Sequence, residues 1–281
     1  MIERVAEALG RRVLQLEPVS GGDICRAARA ELDGGEAAFV KSRSGAPPGF
    51  FAAEAWGLGW LGDAGAPVPG VLVVADDLLV LEWIEQGRWT VATDQAAGRA
   101  VATLHASGAP GFGHPDGADG WIGSVILPGG PAASWSELWS EHRVRPLVRM
   151  LVDAEQLAPD AGRLLDRVCD RLDDLAGPPE PPSRLHGDLW SGNLLAGADG
   201  RPWLVDPAAQ GGHRETDLAM LALFGGLGAG FLGAYEEVAP LADGWRERQP
   251  LHQLHPLLVH AWLFGGGYAS RAVAIARAYV G

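Results

Sequence analysis

The chain has 281 residues, 47% hydrophobic and 20% charged, enough for one large core or two lobes. Its formal net charge of −13 argues against a nucleic-acid or anionic-membrane partner, since both call for basic patches. Two cysteines, Cys25 and Cys169, are too few for a disulfide scaffold, and no apolar run of about 18 residues is present, so a soluble cytoplasmic protein is expected.

In chain order, residues 2–10 form an amphipathic pattern that Gly10 should end; its acids rule out a signal-peptide core. Val13 to Pro18 reads as a strand. Gly21 and Gly22 follow, either a backbone nest facing phosphate oxygens or a plain hairpin turn. Asp33-Gly34-Gly35 is a hairpin signal leading into a strand, 36–41, that ends in Lys41. Residues 50–61 read as a helix carrying Glu54, either an ion-pair partner for Lys41 or an ordinary solvated acid. Two short strands, 71–74 and 78–81, run into Glu82, Trp83 and Ile84. There the chain should pass from a small lobe (1–84) to a large one (85–281), with backbone groups meeting an adenine edge. Residues 90–106 are helical by periodicity, with Thr90 as N-cap. Residues 107–133 are Gly- and Pro-rich, yet Phe112 and Trp121 argue for order. Helices are expected at about 134–151, 157–176, 228–239, 250–264 and 268–280.

The chemistry concentrates at 183–206, SRLHGDLWSGNLLAGADGRPWLVD. Asp188 is followed five positions on by Asn193, and thirteen positions later by Asp206 at the end of an apolar strand. Phosphoryl transfer from ATP needs one carboxylate to orient and deprotonate the attacking hydroxyl. It also needs oxygen ligands, an amide and a second carboxylate, to hold Mg2+ against the phosphates. Lys41 is the only lysine and Asn193 the only asparagine in the chain. A lysine offers phosphates a compact charge that an arginine fork does not reproduce. As a bare triplet, Asp188, Asn193 and Asp206 also fit a tight turn. Asp217 reads as a helix cap bracing the loop, and His186 as scaffolding beneath it.

The pattern H-x-D-x-x-x-x-N followed by an Asp resembles the protein-kinase-like superfamily. LHGDLWSGNLL with Asp206-Pro207-Ala208, Gly212-His213-Arg214-Glu215-Thr216-Asp217 and Phe224-Gly225-Gly226 more narrowly resembles the fructosamine kinase (ketosamine 3-kinase) family. The resemblance covers most of the chain and is strongest at 185–226. It implies an α+β, two-lobed, protein-kinase-like fold: a small antiparallel-sheet N-lobe and a mainly helical C-lobe. It implies ATP and Mg2+ as cosubstrates, and phosphorylation of the 3-hydroxyl of a fructosamine or ribulosamine, free or on a glycated protein, as a deglycation repair. Departures are the bare Gly21-Gly22 loop and the lack of polar residues at 125–133 and of an asparagine before His260. They bear on the acceptor, which leaves open a kinase of another hydroxylated amine or sugar, or a non-catalytic nucleotide-binding protein. Trp190 either stacks on a sugar or belongs to the core; His260 either bonds the substrate or is structural. Cys25 falls where the family often has a cysteine able to link subunits; the alternatives are a redox-linked dimer and a monomer with a small buried thiol.

Overall fold

A computed structural model describes residues 1–19, 24–226 and 228–281. The expected Gly21 and Gly22 phosphate turn lies outside the described residues.

The N-terminal part is built on a five-stranded antiparallel sheet: β1 (Val13–Pro18), β2 (Arg26–Leu32), β3 (Ala37–Ser42), β4 (Val71–Val74) and β5 (Leu78–Glu82), in the order β1-β2-β3-β5-β4. Side chains alternate across a strand. On β3, Ala38 and Val40 are buried with Val5 of helix α1 (Ile2–Leu9), which covers one face. Helix α1 ends at Gly10, whose φ of 63° an L side chain rarely adopts. Phe39 packs with Phe50, Phe51 and Leu58 of helix α2 (Phe50–Asp63), so the same alternation turns Lys41 toward α2. Because helices cover both faces, Leu78 to Leu81 of β5 read as a continuous apolar run rather than an alternating one.

The remainder is mainly helical. It begins with α3 (Val91–Ala106), capped as expected by the Thr90 hydroxyl, which accepts from the Thr93 amide at 3.1 Å. The Gly/Pro segment is ordered by a hairpin, β6 (Gly120–Ile122) and β7 (Val125–Leu127), and by isolated bridges Phe112–Ala132 and Gly113–Gly211. Trp121 closes onto Phe50, 5.5 Å between centroids, tying the hairpin to α2.

The helix expected at 134–151 is interrupted. A short α4 (Trp135–Glu137) opens into a π-helical turn, Leu138–Val144, before α5 (Arg145–Asp153). The wider turn lets Trp139 and Arg143 both point inward, and the Arg143 guanidinium donates to the Pro128 carbonyl and to the Gln210 side-chain Oε1. The helix expected at 157–176 splits at Arg171 into α6 (Pro159–Asp170) and α7 (Leu172–Leu175).

Two further two-stranded ribbons follow: β8 (Ser183–Leu185) pairs with β11 (Gln210–Gly212), and β9 (Leu194–Ala196) with β10 (Pro202–Leu204). Helices α8 (Glu215–Leu223), α9 (Ala229–Val238), α10 (Trp245–Phe264) and α11 (Tyr268–Val280) complete the fold. Helix α10 starts five residues before the expected Pro250 because burial of Trp245, Arg248 and Leu251 holds the first turns, although Pro250 and Pro256 both lie inside the helix. Among the described residues no helix is long and apolar enough to cross a membrane.

Candidate active site

Strand β3 and helix α2 bring Lys41 Nζ within 2.7 Å of Glu54 Oε2, and the same ammonium is ion-paired with Asp206 Oδ1 from the helical part. The Lys41 and Glu54 side chains are 12% and 11% exposed, Asp206 42%. Burial works to lower the Lys41 pKa, but the two carboxylates outweigh it and hold the ammonium above its ordinary range. Burial pushes Glu54 up even against the Lys41 charge, since one ammonium serves two acids. For Asp206, burial is outweighed by Lys41, and the carboxyl stays below its usual range.

Strand β8 delivers the loop that starts at His186. Its ring is fully buried and donates from Nε2 to the Val205 carbonyl at 2.9 Å, joining the loop to the segment that carries Asp206. Gly187 has φ 82°, and a Cβ there would lie 2.0 Å from the Ala208 carbonyl oxygen, so only glycine lets the two segments meet. Asp217, in the first turn of α8, accepts from the His186 amide at 2.7 Å and the Gly187 amide at 2.9 Å. Its carboxylate is in turn 3.2 Å from His105 Nε2, and His105 Nδ1 is 2.8 Å from the Tyr235 hydroxyl. The bracing role expected of Asp217 is therefore present in the geometry. Its supports His105 and Tyr235 carried no sequence signal, because they lie 112 and 18 positions away on α3 and α9.

Asn193 donates from Nδ2 to the Asp188 carbonyl at 2.8 Å and to Asp188 Oδ2 at 3.2 Å. Asp206 sits in left-handed backbone at φ 56°, uncommon for a non-glycine residue. Burial and the nearby Asp206 charge raise Asp188 to about 7. Two carboxylates on one ammonium, with the Asp188 carboxyl nearby, leave excess negative charge. Asp206 and the Asn193 amide offer hard oxygen donors, a set that fits a divalent cation such as Mg2+.

The remaining expected site residues are placed as follows. The ladder of β3 and β5 ends at the pair Ala38–Glu82, so Trp83 and Ile84 lie just beyond it. Glu82 accepts from the Gly70 amide at 3.1 Å, and the Trp83 indole donates to Glu85 at 3.0 Å. The chain then meets the helical part through a bridge between Gln86 and Gly197. Trp190 is 39% exposed and edge-on to Phe224, 6.2 Å between centroids, so it is not a core residue. His260 is half-buried among Phe224, Phe264 and Tyr268, and donates from Nδ1 to the Pro256 carbonyl at 2.8 Å. A small cleft is lined by Gly187, Asp188 and Thr216 together with His255, Val259 and His260 of α10. Cys25 and Cys169 are free thiols; burial pushes Cys25 up despite the Lys41 charge, which makes its thiolate scarcer.

A lysine-bearing antiparallel sheet above a helical body that holds an Asp–Asn–Asp set defines the class: a protein-kinase-like phosphotransferase. The fructosamine kinase family profile matches residues 1–280. A crystal structure of a Thermobifida fusca protein assigned as a fructosamine-3-kinase is 45% identical, covers 99% of this chain and 97% of that one, and superposes with a TM-score of 0.92. An Enterococcus faecium protein assigned as a ketoamine kinase is 34% identical over 259 residues, 90% of this chain and 91% of that protein. A chloroplastic protein-ribulosamine 3-kinase of Oryza sativa is 31% identical over 285 residues, 98% and 82% of the two chains. The chain belongs to the fructosamine kinase family. More distant in sequence but alike in fold is an aminoglycoside phosphotransferase solved with ADP and hygromycin B, 19% identical with a TM-score of 0.66 over 100% and 99% of the chains.

Proposed function

We propose that the chain transfers the γ-phosphoryl of ATP, with Mg2+, to the 3-hydroxyl of a ketosamine, a fructosamine or ribulosamine carried by a small amine or a glycated protein. One observation carries this reading: Lys41 from the sheet and Asp206 from the helical part meet in one ion-paired cluster with Glu54. In this assignment the N-lobe is residues 1–84 and the C-lobe 85–281. Lys41, steadied by Glu54, holds phosphate oxygens. Asn193 and Asp206 would hold Mg2+, which neutralises charge on the β- and γ-phosphates. Glu82, Trp83 and Ile84 contribute the adenine edge, and Gly21 and Gly22 would cover the phosphates.

Asp188 accepts the hydroxyl proton. A carboxyl raised to about 7 is half ionised at neutral pH and basic enough to take that proton as the phosphoryl leaves ATP. Asn193 fixes its orientation through the 3.2 Å bond to Oδ2. Trp190 and His260 border the acceptor side. His260, donating from Nδ1, presents Nε2 as an acceptor for a sugar hydroxyl. The protein-ribulosamine 3-kinase of rice and the Thermobifida protein assigned as a fructosamine-3-kinase support this acceptor class.

The deciding experiment is phosphotransfer from ATP to a ribulosamine and a fructosamine side by side, with and without Mg2+. Mg2+-dependent phosphorylation of at least one at its 3-hydroxyl is expected. Turnover of an aminoglycoside or choline with neither ketosamine accepted overturns the assignment. A dimer linked through Cys25 is tested by reductant: unchanged oligomeric state and activity remove it.

A further inference from the structure

The β6–β7 hairpin stands where several parts of the molecule meet. Ile122 lines the cleft beside Asp188, and Trp121 packs on Phe50 of α2. At the tip, a Cβ on Gly123 would lie 3.0 Å from Leu263 Cδ1 of α10 and 3.6 Å from Ile24 Cγ1, just before β2. Leu263 follows His260 by three residues, on the acceptor side. Each strand of the hairpin has only 3 residues. An isolated ribbon of that kind does not hold its own place in water, so its position depends on what grips its base.

Arg143 grips it. Nη1 donates to the carbonyl of Pro128, the residue after β7, at 2.8 Å, and to the His142 carbonyl at 3.0 Å. Nε donates to Gln210 Oε1 at 3.2 Å, and Nη2 donates to the same oxygen. Gln210 opens β11 and pairs with Leu185 at the end of β8, one residue before the loop that carries Asp188. One planar fork thus ties the foot of the hairpin to the ribbon that delivers Asp188.

The arrangement carries two costs. Arg143 is 5% exposed, and among the described residues no carboxylate forms an ion pair with it. Burial pushes it down to about 10, opposed only by the Asp119 charge. An apolar side chain of similar length would fill the same space without desolvating a charge. The second cost is the π-helical turn Leu138–Val144, a rare element that recurs at functional sites. Packing alone requires neither. What an arginine adds over a leucine or methionine is a rigid fork whose donors reach two segments at once.

We propose that Arg143 is a positioning residue: its clamp between Pro128 and Gln210 sets the β6–β7 hairpin against the Asp188 loop and so governs binding of the acceptor rather than of the nucleotide. This rests on the phosphotransfer reading above and deepens it. Lys41, Glu54 and Asp206 are ion-paired with one another and not with the clamp, so loosening the hairpin leaves the phosphate side in place.

The test takes Arg143→Met, Gln210→Ala and the double variant. In each, the acceptor KM should rise about 5–20-fold while the KM for ATP stays within about twofold. Both single changes open the same clamp, so the double variant should be little worse than Arg143→Met, whereas independent losses would multiply. Hydrogen exchange of the substrate-free protein reads the clamp without turnover. The amides of β6 and β7 should lose about tenfold or more of their protection in Arg143→Met, while those of β3 and α2 keep theirs. Equal rises in both KM values, losses that multiply, or unchanged exchange in the hairpin overturn the inference. If Arg143→Met does not fold, Gln210→Ala, which keeps the bond to Pro128, carries the same comparison. A wild type that phosphorylates neither ketosamine overturns the acceptor reading, whatever the exchange shows. Normal wild-type turnover with unmoved variants overturns the clamp alone.

Discussion

Asp188 is held where its charge is costly. Burial and the Asp206 carboxylate raise it to about 7, against 3.8 for the free group. The sign of the consequence for stability follows directly. Between those two values the folded chain holds a proton that the unfolded chain has released, so raising the pH through this window costs the native state stability. Asp188→Asn removes the charge and keeps the shape. It should cut kcat by about 10²–10⁴-fold while ATP binding, read by nucleotide-dependent thermal shift, survives. The same variant should unfold about 2–6 °C higher at pH 8, after discounting for partial exposure of the carboxyl. That gain should shrink as the pH is lowered below 7. A variant that is both inactive and less stable at pH 8 would show that Asp188 is a structural acid. For wild type, kcat/KM should fall tenfold per pH unit below about 7, and a flat profile down to pH 5 would remove Asp188 as the base.

The loop that carries Asp188 is positioned by elements rather than by its own sequence. Asp217 at the start of α8 takes two successive backbone amides, and α3 and α9 hold Asp217 through His105 and Tyr235. Asp217→Ala leaves both amides and the imidazole buried without that acceptor, at a cost of about 3 kcal/mol, and should lower kcat more than it raises the KM for ATP. Tyr235→Phe, one step further out, should cost only about 1 kcal/mol and leave kcat within a few-fold. Equal effects of the two would mean that support is not graded along this chain of contacts. The same contrast explains what the sequence could show. The trio Asp188, Asn193 and Asp206 was legible because spacing within one segment is fixed by a tight loop and a short ribbon. The strands and α2 were legible because period-2 and period-3.6 patterns are local. The π-helical turn at Leu138–Val144, the early start of α10 and the His105–Tyr235 support were not, because each is decided by partners more than 25 residues away in sequence, such as Gln210, Glu215 and Asp217. Tertiary burial overrode local preference there, including the preference of proline to open a helix rather than lie inside it.

At the scale of the molecule, the helical body is cored by histidines that only its neutral form tolerates. His186, His213, His252 and His255 are all buried, and burial lowers the pKa of each, His213 and His255 to about 3. Two of them flank Glu215, whose carboxylate is held by Arg248 at 2.6 and 3.1 Å, while Trp135 stacks on His252 and tilts against His213. In the unfolded chain each imidazole takes up a proton below about 6.5, whereas in the folded chain burial delays that uptake to lower pH, for His213 and His255 to about 3. Stability is therefore full above 6.5 and is lost as pH falls through that value. For His213 and His255 alone the loss between pH 6.5 and 5 is about 3 kcal/mol, a large part of the ~5–15 kcal/mol of an ordinary domain. Glu215 adds a second stage: burial opposes but His252 and Arg248 dominate, holding it at about 2, so its contribution is present above about 4.5 and fades below. The urea midpoint should thus drop steeply between pH 7 and 5, well before carboxylates titrate. His255→Phe should flatten that slope by about one proton's worth, roughly 1.4 kcal/mol per pH unit. A midpoint that is level from pH 7 to 5 would mean that these rings are solvated or already charged in the folded protein.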